Sequence, residues 1–152
     1  MSKADVVATI CEALAAGDVA VAKNIARAQY PFVPGAAPKR QYTELESLRI
    51  FFRDGFIDRY SGARLIFPGT LRLLSKLLPD EFPAHPNWKM SESHEIYWEL
   101  FPTIDHVVPV ARGGADAPEN WVTTSMVRNA AKANWTLEEL GWVLLEPGHD
   151  GA

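Results

Sequence analysis

Asp105 and His106 are adjacent, Asn120 follows the histidine by 14 residues, Asn129 comes 9 residues later, and Lys132 lies 3 beyond that. Hydrolysis of a phosphodiester needs an activated water, neutralisation of the phosphoryl oxygens and stabilisation of the departing alkoxide. This set can supply all three. Asp105 and Asn129 offer hard oxygen donors, which favour a single Mg²⁺ or Mn²⁺ ion that keeps several waters. His106 is the candidate general base, because imidazole titrates close to working pH. Lys132 falls on the helical face of Asn129, where an ammonium would meet a substrate phosphate. Arg112, before a glycine pair, and Arg128, one residue before Asn129, are further candidate phosphate contacts.

Thr103 to Val110 is rich in β-branched residues, Gly113-Gly114 supplies a positive-φ turn, and Trp121-Val122-Thr123-Thr124 is a second β-prone run. Asp105 and His106 then point to opposite faces of the first strand. Met126 to Asn134 has helical composition, so the unit reads strand, loop, strand, helix and brings Asp105, His106 and Asn129 together.

Upstream, Val6-Ile10-Leu14 and Val21-Ile25-Ala28 recur at helical spacing behind Ser2 and Asp18, predicting two short helices joined at Ala16-Gly17. Thr43 with Glu46 has capping-box spacing, and Leu45, Leu48 and Phe52 continue an apolar stripe to about Arg53. Asp54-Gly55 ends that helix, and Phe56-Ile57 and Arg64 to Phe67 flank a turn as a short hairpin. Pro68 opens a further helix to about Leu78, with Leu71, Leu74 and Leu78 as its buried side. Ile96 to Leu100 forms another, stopped by Pro102. Thr136 to Leu140 predicts a capped helix and Gly141 to Leu145 a terminal strand. The tryptophans mostly follow apolar patterns and are assigned to the core. The expected organisation is a helical extension over 1–30, a proline-rich linker over 31–38, a catalytic domain over 39–147 and a flexible tail over 148–152.

From Arg53 to Trp142 the chain resembles the HNH endonuclease family, in its Asp-His…Asn…Asn form. The likeness rests on Asp105-His106-Val-Val-Pro, Gly113-Gly114, Asn120-Trp121 and Asn129-Ala-Ala-Lys132. It implies an α+β protein with a ββα-metal core, additional helices and an N-terminal helical hairpin. It further implies Asp105 and Asn129 as metal ligands, His106 as general base, Asn120 as the residue that braces the loop and orients the histidine, and products with a 5′-phosphate and a 3′-hydroxyl. Many relatives carry a zinc knuckle, Arg-Asp-x-x-x-Cys-x-x-Cys-Gly, with a second cysteine pair before the final asparagine. Here Arg53-Asp54 and Gly62 keep that frame while Asp58, Ser61, Ser125 and Arg128 occupy the four cysteine positions. No structural zinc is expected, and an Asp58–Arg128 ion pair is expected in its place.

The 152 residues, 47% apolar and 22% charged, suffice for one core. No apolar run approaches the roughly 20 residues of a membrane span, and Asp5, Glu12 and Asp18 interrupt any signal-like segment, so a cytoplasmic protein without a membrane partner is expected. Cys11 is the only cysteine, which excludes an intrachain disulfide. Net charge is −4, yet residues 39–76 hold eight bases against four acids, a stretch that could face phosphate. The leading expectation is a one-metal DNA endonuclease. The alternatives are a noncatalytic nucleic-acid or protein adaptor on the same fold, and an RNase or nickase. The N-terminal helices are candidates for homodimerisation or for docking a protein partner.

Overall fold

The structure, a computed structural model, describes residues 1–33 and 42–148. The expected linker from Pro34 onward, Lys39, Arg40 and the tail beyond Gly148 lie outside the described residues. The chain divides into two compact units, Met1–Gly35 and Ala36–Ala152.

The first unit is a helical hairpin. Ser2 caps α1 (Lys3–Ala15) through a reciprocal capping box with Asp5, and Asp18 caps α2 (Val19–Gln29) by accepting from the Val21 N–H. Gly17, at φ 78°, takes the left-handed turn between them. The buried positions are Val6 and Ala22. Leu14 and Val21, read as part of the apolar stripes, are exposed, because the helix faces that meet are turned away from those residues.

The second unit is of α+β type: helices around one two-stranded antiparallel sheet. Strand β1 (Pro102–His106) pairs with β2 (Trp121–Ser125), Ile104 opposite Thr123 and His106 opposite Trp121. Alternation puts Ile104 and His106 on one face and Thr103 and Asp105 on the other. Helix α3 (Glu44–Arg53), started by a Thr43–Glu46 capping box, packs Ile50 and Phe51 against Ile104 and Trp121 on the first face. The buried stripe is thus Ile50-Phe51. Leu45 and Phe52, read as part of the apolar stripe, are exposed, since the sheet meets the helix on its other side.

Asp54 ends α3 and Gly55 and Phe56 follow with positive φ. The expected hairpin is reduced to a single bridge between Ile57 and Arg64, reinforced by Asp58 N–H to Ala63 O at 2.9 Å and Leu65 N–H to Phe56 O at 2.7 Å. Pro68 occupies the first turn of α4 (Pro68–Leu77), which buries Leu71 completely but leaves Leu78 exposed. A short α5 (Ile96–Glu99) leads into β1. That strand ends at His106, earlier than its β-branched composition suggests, because Pro109 and a 3₁₀ turn at Val110–Arg112 break the ladder.

Helix α6 (Met126–Lys132), capped by Ser125, covers the second face of the sheet, and α7 (Leu137–Leu140) follows behind its Thr136 cap. Residues 141–145 form no strand. They run as an extended strap, tied by Leu145 N–H to Arg59 O and by the Arg59 guanidinium to Leu145 O. Trp121 is the buried tryptophan; Trp88 and Trp135 are about half exposed. Among the described residues no helix is long and apolar enough to cross a membrane.

Candidate active site

A frame of buried carboxylates sets the position of the sheet. Asp54, fully buried, accepts from Arg53 Nε at 2.8 Å, Arg59 Nη1 at 2.9 Å and the Thr123 N–H at 2.9 Å, clamping the end of α3 to β2. Arg53 continues to the carbonyls of Trp121 and Pro118. Asp58 takes three hydrogen bonds, from the Tyr60 N–H at 2.9 Å and from the Ser125 N–H and Thr124 hydroxyl at 3.1 Å each. Arg128 Nε stands 3.9 Å from Asp58, at the outer edge of ion-pair range, and its guanidinium also lies over the Trp142 ring. Asp58 therefore ties the turn to the start of α6 mainly through backbone amides. Ser125 caps α6 by accepting from the Arg128 N–H, and Ser61 accepts from the Ala63 N–H.

This frame presents Tyr60 to the second face of the sheet. Its hydroxyl donates to Asp105 Oδ2 at 2.6 Å, and Lys132 Nζ reaches the same oxygen at 2.9 Å. Burial, with the Asp105 carboxylate alongside, pushes the Tyr60 phenol well above its usual range, so the group stays a donor. Lys132 is fully buried, donates also to His106 O at 2.8 Å, and lies over the Tyr60 ring. The expected phosphate contact by Lys132 is corrected accordingly: its ammonium is turned inward, where it balances a carboxylate that would otherwise be buried alone.

From the same helix Asn129 donates through Nδ2 to Ile104 O at 3.0 Å, which directs its Oδ1 away from the strand. Asp105 Oδ1 and Asn129 Oδ1 have no hydrogen-bond partner among the described residues. Every fully buried side-chain nitrogen and oxygen there is partnered, so both oxygens keep solvent contact. A carboxylate oxygen and a carboxamide oxygen left open suit a hard cation with most of its ligands from water. Among the described residues no group of three or more His, Cys, Asp or Glu is placed to hold a metal.

His106 faces the other way, into α3, so the expected convergence of Asp105, His106 and Asn129 is corrected: α6 brings Asn129 to the face of Asp105, while alternation along β1 turns the imidazole to the opposite face. Its ring is 4% exposed and lies about edge-on to Trp121 at 6.4 Å and tilted to Tyr42 at 6.5 Å. Nε2 is 2.7 Å from Asp116 Oδ1 and 3.1 Å from Trp121 Nε1, while Trp121 Nε1 is 3.0 Å from Asp116 Oδ1. Asn120 organises the loop that carries Asp116. Its Oδ1 accepts from the Val108 N–H at 2.9 Å, and its Nδ2 donates to the Val108 and Ala115 carbonyls at 2.8 Å each. Gly113 takes φ 90°, and a Cβ on Gly114 would stand 1.9 Å from Val108 O, so the pair serves one turn and one close approach.

Arg112 is paired with Glu139 at 2.8 Å and remains partly exposed. In the stretch read as a basic face, Arg53 and Arg59 are bound to Asp54, and Arg72 reaches Glu44 at 3.4 Å. Arg53 and Arg59 thus hold the fold, while Arg72 and Glu44 form a solvent-exposed pair. His85 pairs with Glu92 at 3.2 Å, and His94 accepts from the Ile96 N–H.

Two residues of this arrangement escaped the sequence reading. Tyr60 sits inside the turn where attention fell on the replaced cysteine positions, and Asp116 lies in a loop whose spacing to His106 carries no periodic signal. An expected result follows for the first. Tyr60→Phe keeps the ring that packs on Trp142 but loses the hydroxyl on Asp105, at a cost of roughly 1.5–3 kcal/mol for a hydrogen bond to a charged group. A urea midpoint equal to that of the parent protein would show that this contact contributes nothing.

No family model matches the chain, and searches of curated proteins and of solved structures return no match to it.

Proposed function

We propose that the chain is a metal-dependent endonuclease of the ββα-metal, HNH type that hydrolyses DNA phosphodiester bonds. The observation that carries this reading is the pair of open oxygens, Asp105 Oδ1 and Asn129 Oδ1, each left over after the rest of its side chain is fixed to the fold. Asp105 and Asn129 would hold one Mg²⁺ or Mn²⁺ ion, which supplies Lewis-acid neutralisation of the phosphoryl charge. Tyr60 and Lys132 keep the Asp105 carboxylate in one orientation. His106 takes the proton from the attacking water, and Asn120 holds the loop around it. Arg128, two-fifths exposed, and Arg112, paired with Glu139, are the proposed contacts to the substrate backbone.

One observation favours the adaptor reading: Lys132 already balances the charge of Asp105 without a metal. Supercoiled plasmid separates the two. The nuclease reading expects nicked or linear product in Mg²⁺ or Mn²⁺, none in EDTA, and recovery on adding the ion back. Plasmid left intact with either ion, by protein that still binds DNA, supports the adaptor. Nicked product alone identifies a nickase, and cleavage confined to an RNA substrate identifies an RNase.

A further inference from the structure

Among the described residues Asp116, His106 and Trp121 meet in a polar cluster whose proton arrangement follows from their donor and acceptor capacities. The indole N–H of Trp121 can only donate. If it donated to His106 Nε2, that nitrogen would carry a lone pair and face the Asp116 carboxylate at 2.7 Å with no proton between them. Two acceptors do not approach so closely. If instead Nε2 carries the proton, it donates to Asp116 Oδ1 at 2.7 Å, and the indole donates to the same oxygen at 3.0 Å. Both distances are ordinary for hydrogen bonds to an ionised carboxylate. In the neutral ring the remaining nitrogen, Nδ1, then holds the lone pair. It has no hydrogen-bond partner among the described residues and, since every fully buried side-chain nitrogen and oxygen there is partnered, it keeps what little solvent contact the ring has.

We infer that Asp116 is a positioning residue that locks His106 in the Nε2–H tautomer, so that Nδ1 is the atom that accepts the proton from water. Trp121 donates to the same carboxylate oxygen, and Asn120 fixes the loop on which Asp116 rides by bonding Ala115 O. The lone pair is thereby confined to one ring nitrogen before substrate arrives. The kinetic part of this inference rests on the nuclease reading above, and the spectroscopic part does not.

The deciding measurement is the ¹⁵N spectrum of the histidine side chains in the unmodified protein, with His106 assigned by its loss in His106→Gln. The neutral ring is expected to show the Nε2–H pattern; an Nδ1–H pattern overturns the inference, even in a protein that cleaves DNA. Asp116→Ala is expected to lose that preference and to lower kcat for plasmid cleavage by about 10- to 100-fold with KM within about twofold of the parent, while Asp116→Glu recovers part of the rate. An Asp116→Ala protein with the parent kcat and the parent tautomer overturns it equally. Failure of the parent protein to cut any plasmid counts against the nuclease reading alone, because the tautomer of His106 is still read directly.

Discussion

His106→Ala is expected to lower the rate of Mg²⁺-supported plasmid cleavage by on the order of 10²–10⁴-fold, the usual share of a general base, while leaving DNA binding unchanged. The imidazole packs against Trp121, Tyr42 and Asp116, and among the described residues none of its contacts is with a cation that would hold a phosphate. Removing it takes away the proposed proton acceptor and spares the partly exposed Arg128 and Arg112. The variant also leaves a small void beside Trp121, so a thermal melt accompanies the kinetics and separates chemistry from packing. A folded variant that cuts at the parent rate rules out the proposed base.

Asp54→Ala is expected to destabilise the second unit by about 3–5 kcal/mol, the range found when one partner of a buried ion pair is removed. Asp54 has no solvent exposure and holds Arg53, Arg59 and the Thr123 amide together, so its loss leaves Arg59, nearly as buried, without its carboxylate. Burial alone pushes the Asp54 carboxyl up, but hydrogen bonds from Arg53 and Thr123 and the Arg53 charge outweigh it and hold the group below the usual carboxylate range. A depressed folded-state value means that the stabilisation is complete above the unfolded value of roughly 3.9 and is lost as pH falls from there through the lower folded value. Denaturant midpoints at neutral and acid pH check this. The parent should lose more stability than Asp54→Asn between about pH 5 and the acid limit, and parallel curves would remove Asp54 from the acid response.

The sequence disclosed elements better than faces. Thr43 with Glu46 and Thr136 with Glu139 located helix starts, because a capping box satisfies backbone amides locally and needs no knowledge of the rest of the chain. Burial depends on which side of a helix meets the sheet, and there the apolar pattern misled: Leu45 and Phe52 are exposed while Ile50 and Phe51 are buried. The strap at 141–145 looked like a strand from its Val-Leu-Leu composition, yet its partner is the irregular turn at Arg59 rather than a ladder edge.

The candidate site divides in the same way. Spacing put Asp105, His106, Asn120 and Asn129 on the elements that carry them, since strand alternation and helix pitch convert separation into direction. Lys132 at three residues from Asn129 could equally have pointed outward. Its direction was decided by Asp105 and the His106 carbonyl, two acceptors inside the fold whose need for a donor cannot be read from the helix alone. Asp116 and Tyr60 were hidden because each reaches its partner across an irregular turn.

The turn from Asp54 to Gly62 is closed by carboxylates gripping amides, a hydroxyl and guanidiniums, and it contains no cysteine. Such a brace has nothing that a chelator can strip or a peroxide can seal. The second unit is therefore expected to keep its fold in a chelator, so that an ion of the kind proposed above could leave and return without refolding.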